Sequence, residues 1–172
     1  MIHLSNDPVI SRDRENGWVV EDGRRLVTFR IKTFQSFVDR LTSIVGAGVG
    51  GIVLHQMGNE IGRVTFEYSR EAIKSESDLG QVLDNVLVDR GWGRCTSLEK
   101  QALDGNIMYV TRMKGSPCSH ERTSNKPTCH LVGGIVSGYL EAYLGKKAQS
   151  HRERECESTG NKSCIFETTF AS

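Results

Sequence analysis

The sequence has few prolines, no long apolar run and almost no net charge. Only 3 of its 172 residues are proline and 37% are hydrophobic, so the composition does not indicate disorder. A formal net charge of +1 gives no large uniform field that would attract nucleic acid. The chain contains neither a run of about 18 apolar residues nor the pattern of a signal peptide. We therefore expect one soluble, cytoplasmic domain over residues 1–172, with no membrane span and no direct nucleic-acid binding.

Hydrophobic periodicity and glycine-containing turns predict groups of strands and helices. Turn signals at Glu21-Asp22-Gly23 and Asp104-Gly105 predict two hairpins, because glycine accepts the positive φ of a tight turn. Amphipathic spacing predicts helices over 34–45, 54–68, from about 77 to the glycines at 91–93, and over 129–144. Two further strands are predicted over 148–157 and 164–170. This order predicts an α+β fold, with an antiparallel sheet packed against a helical layer in a single domain.

Five cysteines are present, and a reducing compartment would keep them free for metal binding or burial. Cys156 and Cys164 flank a turn containing Gly160 and Asn161, so both can lie at the neck of a hairpin. Cys129 stands at the start of the last predicted helix, where unpaired N–H groups favour a thiolate. Zinc prefers four tetrahedral ligands and accepts both thiolates and carboxylates. The C-terminal cysteines are therefore candidate zinc ligands, although a buried thiol pair or a disulfide explains the spacing equally well.

The fourth ligand is open on the residues alone. Glu153 precedes Cys156 by three positions, which on an ideal strand places the two side chains on opposite faces. A bulge or a turn would be needed to bring Glu153 round to the cysteines. The competing donors are Cys118, His120 and His130.

The C-terminal pattern resembles the vinyl-4-reductase domain family. The matching elements are the glycine-containing helix from Cys129 to Gly145, the segment from Glu153 to Cys156, and the segment Gly160-Asn161-Lys162-Ser163-Cys164-Ile165-Phe166. Upstream, the Glu21-Asp22-Gly23 hairpin and the helix over 34–45 also look like the family. The family includes sensory domains of phenol- and toluene-responsive transcription activators. Its fold is similar to that of transport-particle subunits.

This resemblance implies a zinc ion held by Cys129, Glu153, Cys156 and Cys164. It also implies a homodimer and an enclosed apolar cavity for a small hydrophobic or aromatic ligand. Candidate ligand-binding residues, chosen because their side chains suit an apolar ligand, are Trp92, Met108, Tyr109, Tyr139 and Tyr143.

The function expected on these grounds is a zinc-containing, stand-alone sensor domain without catalytic residues. A reductase acting on a vinyl group with a borrowed cofactor, or a ligand-free scaffold subunit, are the alternatives. The sequence has no dinucleotide-binding fingerprint, and the glycine run 46–51 lacks the Lys-Ser/Thr end of a phosphate loop. His55 lies near an apolar helical face, where a buried, hydrogen-bonded histidine is the simpler interpretation than a metal ligand.

Overall fold

The computed structural model describes residues 10–21, 24–103 and 105–172. The turn residues Asp22, Gly23 and Asp104, on which both predicted hairpin turns depend, lie outside the described residues. The chain divides into two compact units, Met1–Phe34 and Gln35–Ser172. The single domain over residues 1–172 stays a prediction.

The first unit contains a three-stranded antiparallel sheet. Its strands are β1 (Ile10–Asp13), β2 (Trp18–Glu21) and β3 (Arg24–Leu26), in the order β1-β2-β3. Strands β2 and β3 pair from Val19 with Leu26 to Glu21 with Arg24, across the predicted N-terminal hairpin. Strand β1 was not predicted, because its four residues carry no clear alternation of apolar and polar side chains.

Four α-helices are described: α1 (Ile31–Val45), α2 (Ala47–Ser69), α3 (Leu79–Asp89) and α4 (His130–Leu144). Helix α2 begins earlier than predicted, because most of the glycine run 46–51 forms its first turns instead of a break. Gly46 makes this possible, since its φ of 83° allows the chain to turn between α1 and α2. Gly145 ends α4 in the left-handed conformation, as predicted. None of the described helices is both long and apolar enough to cross a membrane.

The second unit contains a four-stranded antiparallel sheet. Its strands are β4 (Arg94–Leu103), β5 (Asn106–Lys114), β6 (Ser150–Glu155) and β7 (Cys164–Ala171), in the order β4-β5-β7-β6. Helix α3 packs against β4, and α4 packs against β6 and β7. The structure therefore confirms an α+β fold with an antiparallel sheet against helices.

Helix α4 lies at the centre of this unit. All of its residues from Leu131 to Glu141 are buried, because one side faces the sheet and another faces α2. Its sequence explains this position, since it is apolar on all sides and lacks a polar face. Its fully buried side chains include Val132, Ile135, Tyr139 and Leu140.

Glycines on both helices allow α2 and α4 to approach closely. A Cβ atom at Gly58 or Gly62 of α2 would overlap the carbonyl oxygen of Leu131 or Ile135 on α4. In the reverse direction, a Cβ atom at Gly138 would overlap the carbonyl oxygen of Asn59. The two backbones are therefore in direct contact, and any side chain between them would force the helices apart.

The substitution Gly138→Ala should destabilise the second unit. The added methyl group meets backbone that cannot move aside, so we expect a loss of about 3 kcal/mol in the free energy of unfolding. Chemical denaturation followed by far-UV circular dichroism measures this loss.

Gly48→Ala is the matched control, because Gly48 is exposed in α2 and a Cβ atom there meets nothing within 4 Å. It should leave stability unchanged or raise it by up to about 1 kcal/mol, as expected for alanine replacing a helical glycine. Equal stability of the two variants would contradict a direct backbone contact.

Candidate metal centre

The structure brings the four predicted zinc ligands together. One donor atom from each of Cys129, Glu153, Cys156 and Cys164 lies within 4.8 Å of all the others. The Sγ atom of Cys129 is 3.7 Å from that of Cys156 and 3.6 Å from that of Cys164, and the last two are 3.9 Å apart. Tetrahedral zinc with Zn–S bonds of about 2.3 Å separates its sulfur ligands by about 3.8 Å. The spacing of the three sulfur atoms therefore fits a tetrahedral zinc ion.

Three secondary-structure ends supply the cysteines. Cys129 is the N-cap of α4, Cys156 directly follows β6, and Cys164 begins β7. Between the last two, a short 3-10 helix ends at Gly160, whose φ of 89° reverses the chain. All three cysteine side chains are fully buried. A bound ion would thus join the start of the central helix to both strands of the terminal hairpin.

A β-bulge brings Glu153 to the cysteines. The pairing of β6 with β7 shifts between Glu153, which faces Phe166, and Glu155, which faces Ile165. The extra residue reverses the alternation of side chains, so Glu153 and Cys156 reach the same side of the strand. This is the irregularity that the sequence required for Glu153 to act as a ligand.

The two carboxylate oxygens of Glu153 have different surroundings. Oε2 accepts a hydrogen bond of 3.0 Å from the backbone N–H of Cys129. Oε1 is buried and has no hydrogen-bond partner among the described residues. A buried carboxylate oxygen without a partner is costly, and coordination to a cation would compensate that cost.

Polar groups surround the sulfur atoms. The backbone N–H of Glu157 donates a hydrogen bond of 3.4 Å to Sγ of Cys164. The hydroxyl oxygen of Ser116 lies 3.3 Å from Sγ of Cys129, and that of Ser158 lies 3.1 Å from Sγ of Cys156. Such contacts orient metal-binding thiolates and stabilise their charge.

Burial and mutual proximity shift the ionisation of these groups. Burial raises the pKa of Glu153 to about 9, and its hydrogen bond with Cys156 acts in the same direction. Hydrogen bonds from Cys129 and Cys164 lower the pKa of Cys156 well below its ordinary value. Several anions at this spacing would repel one another, so ionising all four groups requires a cation between them. The donor set and its electrostatics fit zinc.

The competing donors lie outside this group of four among the residues described. Cys118 is buried, and a hydrogen bond with Cys129 lowers the pKa of its thiol, so it borders the centre. His120 is about half exposed and lies 3.6 Å from the carboxylate of Glu121. The ring of His130 packs against Gly51 of α2.

A cleft of about 1140 Å³ adjoins the centre, between α2, the start of α4 and β6. The ligand candidates Cys129 and Glu153 form part of its wall, together with His55, His130 and His151. The sequence pattern predicted a solvated strand face at His151. Instead, its ring stacks on Phe166, and burial lowers its pKa to about 3. Charged residues on both sides of His151 concealed its buried position.

The five candidate ligand-binding residues lie elsewhere in the described structure, because none of them lines this cleft. Tyr109 and Tyr139 are fully buried, and their hydroxyl groups lie 2.8 Å from Glu76 and 2.9 Å from Ser69 respectively. Tyr143 meets Phe66 edge to face, while Trp92 and Met108 are partly buried. Their role in ligand binding stays a prediction.

Comparison with known proteins identifies the C-terminal part of the chain. Residues 110–170, which include all four members of the centre, match the sequence model of the vinyl-4-reductase domain. No curated protein sequence matches the chain.

Solved structures share its fold. The phenol-responsive sensory domain of the transcription activator PoxR, solved with phenol, matches with a TM-score of 0.76 and 18% identity, over 93% of this chain and 84% of that one. A vinyl-4-reductase family protein from Methanocaldococcus jannaschii matches with a TM-score of 0.57 and 18% identity, over 86% of this chain and 84% of that one. Subunit 3 of a trafficking protein particle complex from Naegleria fowleri, covalently bound to palmitic acid, matches with a TM-score of 0.48 and 11% identity, over 81% and 95% of the two chains.

The family model and the shared fold together confirm the resemblance that the sequence carries. Over residues 110–170, this chain is a member of the vinyl-4-reductase domain family.

Proposed function

We propose that this chain is a zinc-containing sensor domain that binds a small apolar or aromatic molecule. The cleft beside the metal centre is the observation that carries the proposal. Its volume of about 1140 Å³ suffices for a small organic ligand, and its wall combines apolar side chains with a few polar groups. The fold shared with the phenol-responsive domain of PoxR supports a sensing role.

The zinc ion has a structural role in this proposal. Four protein ligands close the coordination sphere, which leaves no position for a reacting water molecule. The ion would hold the start of α4 against β6 and β7, and these elements form one wall of the cleft. Thiolate ligands must stay reduced, so we also infer a cytoplasmic location.

Native mass spectrometry of the untagged protein tests the metal. We expect one zinc ion per chain as purified, and its loss in the variant Cys156→Ser. Losing a structural metal removes folding free energy, so Tm should fall by roughly 6–12 °C, equivalent to about 3 kcal/mol.

Cys95→Ser is the matched control, because Cys95 is a buried cysteine whose thiol contacts the carbonyl oxygen of Ser97 outside the centre. This variant should keep its zinc. A Cys156→Ser variant that retains one stoichiometric zinc with unchanged Tm would refute the assignment.

Thermal unfolding with added phenol, toluene and naphthalene tests ligand binding. A ligand that binds only the folded state raises Tm with increasing concentration, by about 2.7 kcal/mol at a hundredfold excess over Kd. We expect at least one of these aromatic molecules to raise Tm. A Tm unaffected by all three at their solubility limits would contradict an aromatic-sensing role.

We also propose that the chain forms a homodimer through the exposed side of α2. This side carries five large apolar residues that are about half exposed or more: Val49, Ile52, Met57, Val64 and Tyr68. A contiguous apolar surface of this kind is typical of a protein interface. A second copy fits best, because two equal apolar faces complement each other about a twofold axis.

Met57→Glu should convert the dimer to a monomer, because it places a charge in the middle of this apolar surface. Sedimentation equilibrium over a range of concentrations measures the change. Val88→Glu on α3 is the control, since Val88 is similarly exposed but lies on another helix. A wild-type monomer, or a dimer equally sensitive to both substitutions, would argue against this interface.

A further inference from the structure

Two polar atoms beside the cleft lack a hydrogen-bond partner. They are Nε2 of His55 on α2 and Oγ of Ser137 on α4, and both are buried without a partner among the described residues. Both residues belong to the wall of the cleft. The remaining atoms of this kind are Glu153 Oε1, which belongs to the metal centre, and Thr111 Oγ1, which lies in β5 away from the cleft. Leaving buried polar groups unsatisfied is costly, so these two atoms indicate where a polar group of a ligand binds.

The helix contact fixes both side chains. Gly134 of α4 packs directly against the backbone carbonyl of His55, and Ser137 follows one helical turn later. Ser137 is only 1% exposed, so its hydroxyl group cannot turn outward into bulk water. The two polar atoms are thus held by the rigid pair of helices and not by a loop.

The chemistry of these groups selects a hydroxyl. Burial lowers the pKa of His55, so its ring is neutral at pH 7 and offers one donor and one acceptor nitrogen. The serine hydroxyl can also donate or accept. A hydroxyl group satisfies either arrangement, because it donates one hydrogen bond while accepting another. A carbonyl or an ether can only accept.

The rest of the cleft suits a flat apolar body. Leu54, Ile52 and Phe166 contribute apolar surface, and the rings of Phe166 and His151 are stacked with centroids 5.8 Å apart. A volume of about 1140 Å³ exceeds the needs of a single aromatic ring. The cleft therefore favours a ligand of two or more rings.

We propose that the cleft binds a multi-ring apolar molecule through one hydroxyl group, held by Nε2 of His55 and Oγ of Ser137. This proposal rests on the ligand-binding function proposed above and names the class of molecule that the domain would sense. The zinc ligands take no part in it.

Fluorescence titration with 2-naphthol and 2-methylnaphthalene tests the proposal, because the probes differ only in a hydroxyl in place of a methyl group. We expect wild-type protein to bind 2-naphthol roughly tenfold more tightly, as two modest hydrogen bonds would produce. Ser137→Ala and His55→Phe should each weaken 2-naphthol binding by about threefold or more. Both should leave the Kd of 2-methylnaphthalene within about twofold.

Thr111→Val is the matched control, because it removes a buried hydroxyl that also lacks a partner but lies away from the cleft. It should preserve the tenfold preference. Thermal unfolding of each variant verifies that it folds. Ser137→Ala should be as stable as wild type, since no hydrogen bond from Ser137 Oγ to the described residues is lost.

The outcomes separate this inference from the function on which it rests. Equal affinity of wild type for both probes, as expected where solvent satisfies these atoms, overturns the inference and leaves ligand binding intact. A preference for 2-naphthol that survives in both variants has the same meaning. Binding of neither probe overturns the proposed ligand-binding function together with this inference.

Discussion

The direct backbone contact between α2 and α4 is the constraint on which the second unit depends. Gly58, Gly62, Gly134 and Gly138 remove the side chains that would otherwise separate the helices. Because α2 covers one side of α4 and the sheet covers another, the central helix has little freedom to shift. Its N-cap, Cys129, is thereby fixed beside the terminal hairpin. The metal centre and the wall of the cleft both follow from the position of this one helix.

The metal centre adds a second constraint of a different kind. Packing brings three thiols and a carboxyl group within 4.8 Å of one another, although their mutual repulsion opposes ionisation. A central cation converts this repulsion into attraction, so metal binding and folding of the hairpin depend on each other. The N–H groups of Cys129 and Glu157 support the negative charge from the protein side. Packing thus positions the donors, and the ion would compensate their charge.

Much of this arrangement could be predicted from the sequence, for reasons that are visible in particular residues. Helix α4 is bounded by Cys129 and Gly145, and its apolar character on all sides indicates a central, buried position. The position of Glu153 could be stated only as a condition, because a bulge depends on pairing with a neighbouring strand that the sequence does not show. The family resemblance favoured Glu153, and the register of β6 explains how it reaches the cysteines.

The aromatic residues show where sequence reasoning ended. Tyr109 and Tyr139 were selected because an aromatic ring with a polar end suits a ligand, yet such a ring suits a protein core equally well. Their hydroxyl groups lie near Glu76 and Ser69, so hydrogen bonds within the chain satisfy them. Periodicity cannot distinguish these two environments, since both place an apolar residue on the inner face of an element.

The cleft contains two kinds of polar group, and they impose different demands on what binds there. The groups of the metal centre are ionisable, so they require a positive charge, which a metal ion supplies. His55 and Ser137 are neutral, so they require only a hydrogen-bonding partner, which an uncharged organic molecule can supply. Glu153 lies at the border between the two, since it belongs to the centre and also lines the cleft. Charge therefore separates the two kinds of occupant: a cation is favoured among the thiols, and an apolar molecule with a single hydroxyl group is favoured beside α2 and α4.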